Sequence, residues 1–367
     1  MPIEIVILLL VAVAGIAGSI VLLVFNASLQ RAAADGPQDE AAFFADGLGG
    51  ADAPLSAEVP LAAEGPRPAE GPRPAAARQD RRIAVIATSL SDYIFPSLLK
   101  DVQACLSAQG FSVVIHATEN SIRRERDILQ QLLLDPPAGI LVEGCKTALP
   151  NPNAELYQAL RQRGLPMTFL HGSCREITDA FCVGDDNYGG GYLLAGHLIR
   201  SGHKKIAGIF KSDDAQGPER YHGVVCAMRD AGLFPLDENF LWFSSFQRHQ
   251  LVELQDEELL RAFLRQQLGG CTAVVCYNDE IAFHLIRTLL RAGKRVPDDI
   301  SIIGYDGLKI GSFYTPKLST VCQSVELLAR RSFMVLMDCT EHGGPARHLT
   351  VPFTLSNRES VRKLESD

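Results

Sequence analysis

From Arg82 onward the chain alternates short, unbroken apolar runs with longer stretches in which apolar residues recur every three or four positions, and this alternation admits few folds. Ile83-Ala84-Val85-Ile86-Ala87 is the first run. Pro96 to Gln109 follows, with Leu98, Leu99, Val102 and Leu106 at helical spacing, Pro96 suited to a first turn and Gly110 to a stop. The cycle repeats. Strands are predicted over Ser112–His116, Gly139–Val142, Met167–Leu170, Ile206–Phe210, Ala273–Cys276 and Ser301–Gly304. Helices are predicted over Ser121–Leu134, Ala154–Arg163, Tyr188–Ser201, Glu219–Ala231, Val252–Leu268, Glu280–Ala292 and Val325–Cys339. Continuous apolar strands between amphipathic helices imply parallel sheets covered on both faces. The stretch is too long for one ordinary sheet, so the expectation is an α/β protein of two doubly wound lobes.

In open α/β sheets ligands bind beyond the carboxyl ends of the strands. The residues at those ends are polar: Ser91-Asp92-Tyr93 after the first strand, Glu143 and Lys146 after the third, and His171 after the fourth. Lys211, Asp213, Asp214 and Gln216 follow Phe210, with Arg220 one turn further on. Tyr277-Asn278-Asp279-Glu280 follows Cys276, and Tyr305-Asp306 follows Gly304. Planar side chains that make paired hydrogen bonds, together with aromatic rings, are what a small polyhydroxylated ring needs. No G-x-S-x-G, H-E-x-x-H or G-x-x-x-x-G-K-[ST] pattern occurs, and no C-x-x-C pair, so the sequence offers no catalytic, cofactor or zinc motif. Some of these residues have plainer readings. Asp92, Asp186 and Asp214 stand where helix caps are common. Gly189-Gly190-Gly191 lacks phosphate-loop spacing and reads as close packing, and His171 alone reads as a core histidine. Arg220, Asn278 and Asp306 are harder to dismiss, since Asn278 and Asp306 end buried strands.

The first eighty residues are of another kind. Ile5 to Phe25 is uncharged and, as a helix, would reach roughly 32 Å, close to a bilayer core. A membrane anchor is the preferred reading over a signal peptide, because no Lys or Arg precedes the run and it is long for a signal core. Asn26 to Asp80 is rich in Ala, Pro, Gly and acids, and Glu64-Gly65-Pro66-Arg67-Pro68-Ala69 returns as Glu70-Gly71-Pro72-Arg73-Pro74-Ala75. Such a segment cannot bury enough apolar surface to offset its ordering entropy and reads as a disordered tether. Nine scattered cysteines suit a reducing compartment. Arg31 after the span, with no basic residue before it, places the C-terminal side in the cytoplasm by the positive-inside rule. The net charge of −8 and pI of about 5.6 argue against broad nucleic-acid binding.

The residues also resemble a known family. Val183-Gly184-Asp185-Asp186-Asn187-Tyr188-Gly189-Gly190-Gly191, Gly202-His203-Lys204-Lys205-Ile206-Ala207, Arg220-Tyr221-His222-Gly223, Cys276-Tyr277-Asn278-Asp279-Glu280-Ile281-Ala282, Val296 to Asp306 and Leu318-Ser319-Thr320-Val321 are similar to the effector-binding core of LacI/GalR-type repressors. The likeness spans nearly all of 82 to 358. Within that family, Ser91 to Pro96, Val142-Glu143 with Lys146, and Ile209-Phe210-Lys211 with Asp213-Asp214 resemble the arabinose repressors. The resemblance implies a periplasmic-binding-protein type I fold, an aldopentose such as L-arabinose as ligand, and a homodimer. It implies that Arg220, Asn278 and Asp306 contact the sugar and that Tyr93, Glu143, Lys211 and Gln323 line the pocket. The repressors carry an N-terminal DNA-binding domain; here a membrane span and tether stand in that place, so DNA binding by this chain alone is not expected.

The expected organisation is therefore a transmembrane anchor over 1–25, a linker over 26–81 and a sugar-binding domain over 82–367. Its first lobe would comprise about 82–182 plus 320–342, and its second about 183–317 plus 343–362. No cofactor or metal is called for. The leading function is a membrane-tethered sugar sensor. A solute receptor serving a transporter on the outer face, a repressor core without its DNA-binding part and, last, an enzyme are the alternatives.

Overall fold

Strands that the sequence marks as continuous apolar runs are buried along their whole length: Gly139–Val142 (β3), Met167–Leu170 (β4), Ile206–Lys211 (β6), Ala273–Cys276 (β8) and Ser301–Asp306 (β9). In the computed structural model, which describes residues 81–90, 95–173, 176–177, 180–341 and 348–364, they occupy the interiors of two six-stranded sheets. The first sheet has the order β11-β5-β4-β3-β1-β2, with β1 at Arg82–Ala87, β2 at Ser112–Ala117, β5 at Phe181–Asp185 and β11 at His348–Val351. The second has the order β12-β10-β9-β8-β6-β7, with β7 at Phe240–Phe243, β10 at Ser319–Gln323 and β12 at Phe353–Ser356. Pairing is parallel throughout except between β10 and β12.

Helices cover both faces of each sheet, as parallel pairing requires. They are α1 at Phe95–Ala108, α2 at Ile122–Leu134, α3 at Ala154–Gln162, α4 at Asn187–Arg200 and α5 at Gln216–Asp230. Ser245–Val252 (α6), Glu258–Gln266 (α7), Asp279–Arg291 (α8) and Val325–Glu341 (α9) complete the set. In the first lobe, one apolar layer joins β1 to Leu98, Val102 and Leu106 of α1 and Leu328 and Leu336 of α9. The opposite layer joins Ile86, Ile140 and Phe169 to Leu129, Tyr157 and Leu160. The second lobe repeats the plan, with Val274, Leu285 and Phe263 on one side and Phe210, Leu198 and Val224 on the other. Each such side chain fully buried is worth about 1.5–3 kcal/mol.

The two-lobe α/β architecture is as expected, but the chain divides between the lobes differently. Val183 to Asp185 stays in the first sheet, because β5 pairs with β4 and β11. Residues 320–323 belong to the second sheet, because β10 pairs with β9 and β12. Residues 348–351, expected in the second lobe, return to the first sheet as β11. The chain thus crosses between sheets three times: after β5, after β10 and between β11 and β12. The helix expected over Val252–Leu268 is shorter, Glu258–Gln266, and a separate helix ends at Val252, because Gln255 takes a φ of +56° and Asp256 accepts the Glu258 N–H at 2.9 Å, restarting the helix. The Ile5–Phe25 run and the repeat-bearing tether lie outside the described residues. Among the described residues no helix is long and apolar enough to cross a membrane.

Gly189-Gly190-Gly191 does serve close packing. Asp186 caps α4 by accepting the Gly189 N–H at 2.8 Å. A Cβ at Gly190 would lie 2.5 Å from the Tyr305 ring, and one at Gly191 would lie 2.1 Å from the Arg220 carbonyl oxygen. From the other side, a Cβ at Gly223 would lie 2.0 Å from the Tyr188 carbonyl oxygen. Helices α4 and α5 therefore cross backbone to backbone. Gly191→Ala is expected to force them apart and cost about 1–3 kcal/mol in urea denaturation. Gly196→Ala, on the same helix and facing only the end of the Arg200 side chain, should leave stability unchanged or raise it by up to about 1 kcal/mol.

Candidate functional site

The carboxyl ends of both sheets face a cleft with a cavity of about 360 Å³. The first lobe contributes Thr88 after β1, Asn120 after β2, Glu143 after β3 and His171 after β4, with Phe95 and Leu98 of α1. The second contributes Lys211 at the end of β6, Gln216 and Arg220 of α5, and Arg248 of α6. Tyr277 and Asn278 follow β8, Asp306 ends β9 and Gln323 ends β10. Six of the seven residues expected at the site, Glu143, Lys211, Arg220, Asn278, Asp306 and Gln323, line this one cavity. Tyr93 lies outside the described residues.

Arg220 is the centre of the second lobe's wall, with its side chain 3% exposed. Its Nε donates to Asn187 Oδ1 at 2.9 Å and its Nη1 to the Tyr277 carbonyl at 2.7 Å. Its Nη2 lies 3.5 Å from Asp185 Oδ2 and 3.7 Å from Asp306 Oδ1. The guanidinium sits 3.6 Å from the centroid of the Tyr305 ring, whose hydroxyl donates to Asp185 Oδ2 at 2.6 Å. Burial works against both charges. The neighbouring His171 and Arg220 nonetheless hold the Asp185 carboxyl well below the usual range, and Tyr305, Asp306 and Asp185 raise Arg220.

Around this pair the other groups are held by short hydrogen bonds. Glu143 accepts from Thr88 N at 2.8 Å and Thr88 Oγ1 at 2.6 Å. Lys211 Nζ donates to Asp214, which therefore pairs with a lysine instead of capping a helix. Asn278 is at once a cap and a wall residue. Its Oδ1 accepts the Ile281 N–H at 3.0 Å, and the cap leaves its NH₂ unused. Gln323 Nε2 lies 3.4 Å from Asp306 Oδ1, and Asp306 holds a φ of +101°, a costly conformation for an L-residue that aims its side chain from the very end of β9.

His171, read from the sequence as a core residue, is part of the cavity wall, with a φ of +62°. Its Nδ1 lies 3.8 Å from Asp185 Oδ1, too long for a hydrogen bond, so their attraction is Coulombic. Burial pulls the imidazole pKa down, but Asp185, Glu143 and Asp306 outweigh it and the net shift is upward. Sequence reasoning counted Tyr305 only among the strand-end residues and did not single out Asp185. Asp185 ends β5 and Tyr305 stands next to last in β9, and their closeness to Arg220 becomes visible only once the strands are paired.

The lobes also touch directly. Asn120 Nδ2 donates to Ser245 Oγ at 2.6 Å, Ala148 N to the Asp213 carbonyl at 3.2 Å and Ala215 N to Thr147 Oγ1 at 3.0 Å. Asn120 and Ser245 follow β2 and β7, the strands at the sheet edges farthest from the three crossovers. Among the described residues no cluster of His, Cys, Asp or Glu could hold a metal ion. What the wall presents is a set of carboxylates, amides and paired cations arranged around a space of small-molecule size.

The model of a periplasmic binding protein-like domain matches residues 195–361. An arabinose metabolism transcriptional repressor from Halalkalibacterium halodurans is 32% identical over 263 residues, covering 72% of this chain and 69% of that one. A protein of the same description from Geobacillus stearothermophilus is 34% identical over 242 residues, covering 66% and 65%. Among solved structures, a transcriptional regulator CelR–cellobiose complex superposes with a TM-score of 0.67 at 24% identity, covering 77% of this chain and 85% of that one.

His171 supplies a pH test. A folded pKa raised above the unfolded value near 6.5 gives stability that is fully present below about pH 6.5 and is lost as pH rises through the folded pKa. The melting-temperature advantage of the wild type over His171→Gln should therefore be larger at pH 6 than at pH 9. A difference that does not change with pH would remove the charged imidazole from the account.

Proposed function

Because the chain belongs to the LacI-type repressor family and carries its periplasmic-binding-protein-like effector domain, we propose that its cleft binds a neutral monosaccharide, an aldopentose such as L-arabinose, and releases it chemically unchanged. The observation that carries this reading is the convergence of Arg220, Asn278, Asp306 and Gln323 on one cavity. These groups offer fixed donors and acceptors to adjacent hydroxyls, with the Tyr277 ring beside them. Charge favours a neutral ligand: Lys211 is paired with Asp214, Arg220 with Asp185 and Asp306, and Arg248 with Glu280. A phosphorylated sugar would have to displace one of these carboxylates.

The uncharged Ile5–Phe25 run supports a membrane-attached sensor, Arg31 after it and the nine cysteines favour a sugar domain in the cytoplasm, and membership of the repressor family favours a homodimer. DNA binding by this chain alone is not part of the proposal, since a net charge of −8 argues against broad nucleic-acid binding. The tether's Ala/Pro-rich repeats, Glu64 to Ala69 returning as Glu70 to Ala75, look like the spacers of exported proteins and favour a second reading, a receptor that hands sugar to a transporter.

Calorimetry and thermal melts of the purified chain against pentoses and hexoses test the ligand. At one hundred times Kd a bound sugar should add about 2.7 kcal/mol of stability, and failure of every pentose and hexose to stabilise the fold would end the sugar reading. Arg220→Ala and Asp306→Ala should each weaken binding by about ten- to a hundredfold, the worth of a charged hydrogen bond. The compartment is tested with cells whose outer barrier alone is opened. The sugar domain should resist added protease until the inner membrane is broken; digestion before that point selects the transport receptor.

A further inference from the structure

Asn278, Asp306 and Gln323 reach the cleft from three separate elements: the cap of α8 and the ends of β9 and β10. Asp279, the residue after Asn278, takes no part in lining the cavity and is completely buried. Its Oδ2 accepts the Leu308 N–H at 2.7 Å, just past Asp306. Its Oδ1 lies 2.7 Å from Thr320 Oγ1, on the strand that ends in Gln323. A Cβ on Gly304 would fall 2.2 Å from the same oxygen, so the carboxyl lies directly against β9. One side chain thus ties together all three elements that carry these ligand-facing residues.

The bonds of this carboxyl come from a backbone N–H and a hydroxyl, not from a cation. The Thr320 hydroxyl, with its single proton, lies 2.7 Å from Asp279 Oδ1 and 3.2 Å from the Val321 carbonyl, and it accepts the Gly307 N–H at 3.2 Å. It cannot donate to both oxygens. A protonated Asp279 resolves the conflict: its own O–H donates to Thr320 Oγ1, and Thr320 donates to Val321. Burial first, and then the charge of Asp306, push the Asp279 carboxyl well above the usual range. The turn it holds needs holding, since Asp306 and Gly307 both have positive φ, at +101° and +72°.

We infer that Asp279 is a positioning residue of the sugar site, which sets the spacing of Asn278, Asp306 and Gln323 through its hydrogen bonds to Thr320 and Leu308. This rests on the sugar-binding reading above. It also predicts that the uncharged amide, which has the same shape, one acceptor and a donor, can replace the acid.

The test compares Asp279→Asn, Asp279→Ala and Thr320→Val in the full chain, with L-arabinose as the probe in calorimetry and with amide hydrogen exchange on the sugar-free protein. Asp279→Asn should bind within about threefold of the wild type, whereas Asp279→Ala should lose about tenfold or more, the worth of one to two buried hydrogen bonds. Thr320→Val should also weaken binding, and the double variant Asp279→Ala/Thr320→Val should be no weaker than Asp279→Ala alone. In exchange, the Gly307 and Leu308 amides should lose protection in Asp279→Ala and keep it in Asp279→Asn. If the wild type does not bind L-arabinose while these amides behave as stated, L-arabinose is not the ligand and the positioning role stands. The role is overturned if Asp279→Asn loses as much protection as Asp279→Ala, or if Asp279→Ala leaves both affinity and protection unchanged. Should Asp279→Ala not fold, Thr320→Val carries the test, and wild-type affinity and protection in that variant overturn the role.

Discussion

The buried guanidinium of Arg220 is the interaction on which the site depends. Three things must be in place for it to exist. Helices α4 and α5 must cross at their glycines, so that Asn187 can accept from Nε. Strand β5 of the first sheet must end beside α5, so that Asp185 comes within 3.5 Å. Strand β9 must end with Tyr305 under the guanidinium and Asp306 at its edge. Taking these charges out of water costs several kcal/mol per ion, and Coulomb attraction offsets that only when the remaining donors are also satisfied. Here the Tyr277 carbonyl and the Tyr305 ring complete the shell. The result is a charge that is rigid, dehydrated and aimed at one cavity, which suits a binding site better than a flexible surface arginine would.

The parts legible in the sequence were those with one dominant physical cause. Strands β3, β4 and β8 were readable to the residue, because burial on both faces leaves an unbroken apolar run. Strands β5, β7, β10, β11 and β12 were not placed: polar residues interrupt the apolar pattern in β10, β11 and β12, as Gln323 does in β10, while β5 and β7 are short runs with no predicted helix directly before them. The break at Gln255 was hidden because its left-handed backbone carries no glycine or proline to announce it. At the site, Asn278 and Asp306 were legible because each ends a buried run, where a polar residue has to be explained. His171 was misjudged for the opposite reason: a histidine after an apolar strand looks like core, and only the juxtaposition with Asp185 and the cavity shows otherwise.

The two lobes meet on opposite sides of the cleft by different means. On one side the backbone itself passes between sheets. On the other, Asn120, Thr147 and Ala148 bond to Ser245, Ala215 and Asp213. The covalent side is permanent, while the hydrogen-bonded side is individually weak, at about 1 kcal/mol net per bond. Asp213 lies at that junction, with its carbonyl in a cross-cleft bond and its carboxylate 4.0 Å from Lys211, a residue of the cavity wall.

The threefold crossing of the chain has a consequence for synthesis. Helix α9, which closes one apolar layer of the first lobe through Leu328 and Leu336, and β11, its last strand, follow nearly the whole of the second lobe in sequence. A chain growing on the ribosome has made β1 through β5 long before the helix that covers them, so the first lobe's core stays open to solvent while the second lobe is being made. Neither sheet is complete until β11 and β12 emerge, within a few residues of each other near the end of translation. Such long-range closure slows folding and prolongs the exposure of unpaired apolar strands. The same threading that joins the two lobes thus leaves the first lobe's apolar layer uncovered in the nascent chain until almost the last residue is added.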